Sequence, residues 1–208
     1  MSSIKGAVMN YSIIGSGSVG MALASQFARS AIPVSIANRR GPDSLISATK
    51  KYADYVHPLH LQTALDADII ILAVPFPAHK DIAATRKEWQ GKIVIDVTNA
   101  WGIPLSELDN QPSSAIVAKA LPGAHLVKAF NHLPAAILAQ VPVISGRRRV
   151  IFVSGDDEGA NTTASELVSQ LGYSPVSLGK IAEGGQLVQA RYKQWAPLIF
   201  QDLFKEDK

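Results

Sequence analysis

The stretch Tyr11-Ser12-Ile13-Ile14-Gly15-Ser16-Gly17-Ser18-Val19-Gly20 decides the fold of this chain. Its first four residues are a short β-rich run that stops at a glycine. Helix formers follow from residue 19 to about 30, with Met21, Leu23, Ala24, Phe27 and Ala28 spaced to pack a helix on a sheet. Between the two lies a G-x-G-x-x-G pattern. Alone it is common by chance, but a strand before it and a helix after it give each glycine a task. Gly15 permits a tight turn, Gly17 lets a pyrophosphate approach the backbone, and Gly20 lets the helix press on the strand. The helix start, with Ser16, Ser18 and Val19 around it, offers free N–H groups and a partial positive charge to phosphate.

Strands and helices alternate on either side of this motif. The pattern predicts strands at 33–37, 55–59, 68–74, 92–97 and 125–130, and helices at 61–67, 78–89 and 113–120. Asp43 or Ser44 is the expected N-cap after the Gly41-Pro42 turn, and Thr63 lies in the expected cap region of the next helix. Such alternation implies right-handed βαβ units and a parallel sheet. After Gly146 the pattern resumes on a smaller scale, with a strand at 148–154, a helix at 158–171, a strand at 174–178 and a final helix from Ala182. The reading is an α/β protein: a Rossmann-type doubly wound parallel sheet over residues 1–145, with a small C-terminal α/β lobe over 146–208.

Composition narrows the chemistry. The 208 residues are 47% hydrophobic and 18% charged, which suits a globular core. The net charge of +3 is too modest to call for nucleic acid. With no cysteine, disulfides, thiolate metal sites and cysteine nucleophiles are excluded. The aliphatic run at 69–74 is too short to span a bilayer, and residues 1–10 lack a secretory pattern, so a cytoplasmic protein without a membrane partner is expected. His57 and His60 flank Pro58 with no third ligand near, so no metal site is expected.

The position after strand two chooses the dinucleotide. NAD-binding folds place a carboxylate there to accept from the ribose 2′-OH. This chain instead reads Asn38-Arg39-Arg40. An arginine can fork two N–H bonds onto a 2′-phosphate and stack on adenine. Asn38 and Ser44 can add hydrogen bonds, so the expected cofactor is NADP(H); one of Arg39 and Arg40 can equally be a solvated surface charge. Ligands sit beyond the carboxyl ends of such strands. Val74, Pro75 and Phe76 after strand four, and Asn99 after strand five, are therefore expected at the cofactor.

Several of these segments together resemble the NADPH-dependent coenzyme F420 reductases. They are the glycine motif, Asn38-Arg39-Arg40-Gly41-Pro42-Asp43-Ser44-Leu45, Ala73-Val74-Pro75-Phe76, Asp96-Val97-Thr98-Asn99, and the segment 121–131 ending Val127-Lys128-Ala129-Phe130-Asn131. Phe152-Val153-Ser154-Gly155-Asp156-Asp157 and Leu171-Gly172-Tyr173 extend the likeness through the C-terminal part. The resemblance implies an NADP-binding domain with a lobe that completes the acceptor site, a homodimer, and hydride transfer between the nicotinamide and a flavin or deazaflavin. It also brings Ala129 and Asn131 into the expected cofactor contacts.

Planar rings exchange hydride with little acid–base help, so no catalytic triad is expected. If a proton also moves, His132, just beyond a strand end, is the candidate; an ordinary loop histidine is the other reading. Lys128 can anchor an anion or form a salt bridge. Trp101 and Trp195 can wall an acceptor pocket or fill the core. The arginines at 147–149 can attract a polyanion or edge a strand. A non-catalytic NADP(H)-sensing module is the alternative function. Imine and hydroxy-acid reductases with a large helical C-terminal domain need more chain than this.

Overall fold

The computed structural model describes residues 9–191, 194–195 and 203–206. β1 (Tyr11–Ile14), α1 (Ser18–Arg29) and β2 (Val34–Ala37) form the first βαβ unit. α2 (Ile46–Thr49) leads to β3 (Val56–Pro58), and α3 (Leu61–Ala64) to β4 (Ile69–Leu72). α4 (His79–Ala83) precedes β5 (Ile93–Asp96), and α5 (Ser113–Ala120) precedes β6 (His125–Ala129). The chain continues through α6 (Ala135–Leu138), β7 (Val143–Ile144), β8 (Arg147–Gly155), α7 (Glu158–Gln170) and β9 (Ser174–Ser177). After a π-helical turn at Ile181–Gly185 come β10 (Ala190–Arg191), β11 (Gln194–Trp195) and β12 (Phe204–Glu206).

The first six strands run parallel in the order β3-β2-β1-β4-β5-β6. That is the doubly wound Rossmann order, with the chain reversing direction across the sheet between β1 and β4. Because successive side chains alternate faces, each strand feeds two cores. Ile13, Ile71, Ile95 and Val127 pack with α1 and α7 on one side. Ile14, Ile70, Leu72, Val94 and Leu126 pack under α3 and α5 on the other. All four residues of β4 are buried, as a central parallel strand demands.

Beyond these six parallel strands the sheet becomes mixed. β8 runs antiparallel to β6, and β9 parallel to β8. The cause is local: Ser145 (φ 51°) and Gly146 (φ 75°) form a two-residue turn between β7 and β8. Two successive positive φ angles give the hairpin turn whose twist matches the strands it joins. The sheet thus runs on through the boundary drawn at 145/146, and Tyr173 and Leu167 share one core with Ile13 and Phe27.

Other expected elements shift for equally local reasons. The helix expected over 78–89 ends at Ala83. The Thr85 hydroxyl donates to the Ile82 carbonyl at 2.6 Å, competing with the helix ladder, while Arg86 reaches the Leu65 carbonyl and Trp89 is drawn into the core. Neither Asp43 nor Ser44 caps a helix: a 3₁₀ turn starts at Pro42 behind Gly41 (φ 86°), and the Ser44 hydroxyl donates back to the Gly41 carbonyl. His60, not Thr63, is the residue before α3. The final helix expected from Ala182 is a π-helical turn followed by the β10–β11 pair, and its remainder lies outside the described residues.

Candidate functional site

The glycine loop is built by close approach. Gly15 adopts φ 114°, and a Cβ there would overlap the Ala73 carbonyl, 2.7 Å from its carbon. A Cβ on Gly20 would overlap the Gly15 carbonyl, 3.0 Å from its carbon. Gly17 is the opposite case, with nothing within 4 Å of a would-be Cβ. Its side faces open space at the N-terminus of α1, a helix with no side-chain cap and no acid in its first turn. Unpaired helix N–H groups and an open approach suit a bound pyrophosphate.

The loop after β2 is tied to this one by Asn38. Its Nδ2 donates to Ser16 Oγ at 3.0 Å and Ser44 Oγ at 3.1 Å, and its Oδ1 accepts from the Arg40 amide at 2.8 Å. Arg39 and Arg40 are exposed beside it. Gly15, Ser16, Gly17, Asn38, Arg39, Val74 and Pro75 line one cleft of about 200 Å³ with residues of α3 and α4. Across it Arg39 meets Asp81 at 4.0 Å, both side chains largely exposed. Ser18 and Val19 stand at the helix start. Phe76 is not a cleft residue: it packs into the core with its ring centroid 4.8 Å from that of His79. Ala129 likewise belongs to the core.

Asn99 and Asn131 meet at the carboxyl ends of β5 and β6. Asn99 Nδ2 donates to the Asn131 carbonyl at 2.8 Å, and Asn131 Nδ2 donates to Asn99 Oδ1 at 3.1 Å and to the Val188 carbonyl at 2.7 Å. The chain reaches this geometry through Phe130, a buried residue at φ 60°. A bulky residue in left-handed conformation costs about 1–3 kcal/mol, a strain that tends to collect at functional sites. Phe130 keeps it by packing edge-on against Tyr173, 6.1 Å between centroids.

Beneath these loops lies an ion pair that charge pattern alone did not assign. Lys128 Nζ meets Asp96 Oδ2 at 3.0 Å, both side chains 0% exposed, and also donates to the Thr98 carbonyl. Asp96 Oδ1 accepts from the Thr98 amide at 2.9 Å. Burial pulls the Lys128 pKa down while Asp96 pushes it up. The pair grips both backbone groups of the residue before Asn99, so Lys128 is a salt-bridge partner here and its ammonium is not available to a ligand. Of the arginine run, Arg147 pairs with Glu206 at 2.7 Å, and Arg149 is buried over the Phe204 ring.

His132 is completely buried, its ring 5.0 Å from that of Phe152 and Nε2 3.3 Å from the Val150 carbonyl. Burial pushes its pKa down to about 4, with the Val150 carbonyl opposing. A neutral imidazole sealed from solvent is a packing residue, poorly placed for carrying protons to a ligand. From about pH 6.5 down to 4 the unfolded chain binds a proton that the folded chain refuses. Stability must therefore fall as pH drops through that window, by about 3 kcal/mol at most, and level off below it. Urea unfolding between pH 7 and 4 checks this, and His132→Gln should flatten the curve.

His57 and His60 are exposed, and among the described residues no group of side chains could hold a metal ion. Trp101 is 52% exposed, not a core residue; the side chain of Trp195 lies outside the described residues. No helix among the described residues is long and apolar enough to cross a membrane.

A hypothetical protein, SMa0349, from Sinorhizobium meliloti is 40% identical and superimposes with a TM-score of 0.86 over 97% of both chains. A candidate F420-dependent NADP reductase from Arthrobacter sp. FB24 shares the fold at 22% identity, TM-score 0.66, over 84% of this chain and 86% of that one. Metalloreductase STEAP3 of Rattus norvegicus is 26% identical over 176 residues, 84% of this chain and 35% of that protein. The chain thus spans about a third of the length of the curated relatives it matches. Residues 10–100, which hold the glycine loop, the arginine pair and the loops after β4 and β5, match the family described as NADP oxidoreductase, coenzyme F420-dependent.

Proposed function

We propose that the chain binds NADP(H) across the cleft between the loops after β1, β2 and β4 and passes hydride to a flavin-like or deazaflavin acceptor. The observation that carries this is the contrast among the three glycines. Gly15 and Gly20 are filled by the protein itself, whereas Gly17 faces room that no protein atom uses, above a helix N-terminus. Space of that kind, with N–H groups around it, fits a pyrophosphate.

Each residue then has a task. Ser16 and the first amides of α1 hold the pyrophosphate. Asn38 keeps Ser16 and Ser44 in register with the arginine loop. Arg39 and Arg40 receive the 2′-phosphate. Val74 and Pro75 back the ribose on the nicotinamide side, and Asn99 with Asn131 fixes the far end of the site. When bound, the reduced dinucleotide supplies the hydride. The protein's part is to align donor and acceptor and keep water out. The C-terminal segment 146–208 completes the acceptor side, since Val188 is joined to Asn131.

The 2′-phosphate assignment is tested by titration. Arg39→Ala should weaken NADPH binding by about 1–3 kcal/mol, as for a lost charge-assisted bond, and leave NADH binding little changed. Equal losses for both dinucleotides would count against it. Wild-type protein that binds NADPH but reduces no flavin or deazaflavin would instead be an NADP(H) sensor.

A further inference from the structure

A second cleft of about 200 Å³ differs in chemistry from the first. It is lined by Leu105, Asn110, Gln111, Pro112, Gln186 and Gln189: four amides, a leucine and a proline, with no charged group. It adjoins the carboxyl ends of β5 and β6, because Asn131 holds the carbonyl of Val188, the residue before Gln189. Gln189 is only 3% exposed. Its Oε1 accepts from the Ser113 amide at the start of α5, at 2.9 Å. That bond fixes the orientation of the amide, because only the oxygen end can accept. The Nε2 end is neither a sealed orphan nor bonded to any described residue, so its N–H groups are left for the cleft. The segments that wall the cleft, residues 101–112 and 181–189, carry Glu107, Asp109 and Glu183 and no lysine or arginine.

We propose that this cleft holds the hydride acceptor as an uncharged ring, and that Gln189 Nε2 donates to a carbonyl on the ring's edge. The proposal rests on the hydride-transfer reading above and adds the acceptor's chemical class and a residue that recognises it. The ring takes a hydride, with its electron pair, from the reduced dinucleotide, which leaves as NADP⁺. Negative charge gathers on the edge carbonyl until a proton from solvent completes the reduction. A donor already fixed at that oxygen needs no reorganisation as the charge develops. The lining offers a polyanionic tail no cationic partner, and the charges on the flanking segments are all acidic, so recognition rests on the ring.

Gln189→Glu is the discriminating variant. It keeps an acceptor for the Ser113 amide, removes the donor and adds a negative charge. Riboflavin is the uncharged probe and FMN its phosphorylated counterpart. Riboflavin binding in the presence of NADP⁺ is read by fluorescence quenching, alongside NADPH affinity, melting temperature and the rate of flavin reduction. Wild type should take riboflavin at least as well as FMN. Gln189→Glu should weaken riboflavin binding and lower kcat/KM about tenfold to a hundredfold, as expected for losing one donor at a developing oxyanion. NADPH affinity should hold; the melting temperature will fall as a carboxylate enters a site only 3% exposed, so binding and kcat/KM are compared at a temperature where the variant is fully folded. A variant within twofold of wild type, or a wild type that prefers FMN tenfold or more, overturns the assignment of Gln189 and leaves NADPH-dependent transfer standing. Wild type that binds NADPH yet reduces neither flavin nor the deazaflavin F420 overturns that reading as well.

Discussion

Lys128→Met will destabilise the fold by about 3–5 kcal/mol in urea unfolding at neutral pH, the usual result of stranding a buried charge. Methionine nearly matches lysine in length, so packing loss is small. The loss comes from Asp96, whose carboxylate would remain 0% exposed with only the Thr98 amide as a partner. The double variant Asp96→Val/Lys128→Met should recover most of the stability, because replacing both members of a buried pair by apolar side chains is often neutral. Recovery of stability need not restore function: both backbone groups of Thr98 would lose their holders, and Asn99 would lose its fixed position beside Asn131. A single variant as stable as wild type would show that the pair is not buried in solution.

Gly15→Ala and Gly17→Ala should fail in different ways. At Gly15 the new methyl must enter the Ala73 carbonyl and the backbone must hold φ 114°. The joint penalty is at least about 3 kcal/mol, and β1 and β4 must separate at the mouth of the cleft. At Gly17 the methyl meets no protein atom within 4 Å, and the residue before α1 has an ordinary extended backbone. Gly17→Ala should therefore melt within about 0.5 kcal/mol of wild type, as a change that disturbs no packing does. It should nevertheless lose NADPH affinity about a hundredfold or more, because the methyl occupies the line of approach of the pyrophosphate. Parallel melting and NADPH titration of the two variants separate a glycine required by the fold from one required by the ligand.

Much of this architecture was legible because its signals are short in range. Strand, glycine loop, helix and strand from Tyr11 to Ala37 follow from periodicity, and the arginine loop follows from its distance beyond the glycines. What escaped was set by partners far away in sequence. Lys128 was ambiguous until the β5–β6 register placed it opposite Asp96; an acidic end on one apolar strand and a lysine in the next was the available hint. The early stop of α4 depends on Trp89 being pulled inward, which no local propensity announces. The reversal at β8 did carry a signal, since Ser145-Gly146 between two short β-rich runs is a hairpin dipeptide. Phe130 carried none: phenylalanine resists positive φ, and only its packing against Tyr173 holds it there. His132 looked available at a strand end, yet Phe152 and Val150 of β8 close over it.

The shared strand β8 has a bearing on how the protein can be divided. It zips onto β6 at three registered positions and carries β9 along its length. A fragment ending at residue 145 would therefore leave a row of unpaired N–H and C=O groups along β6, a template for strand addition by another chain. Such a fragment should self-associate instead of remaining monodisperse, and the intact chain should melt in a single cooperative step with matching calorimetric and van 't Hoff enthalpies.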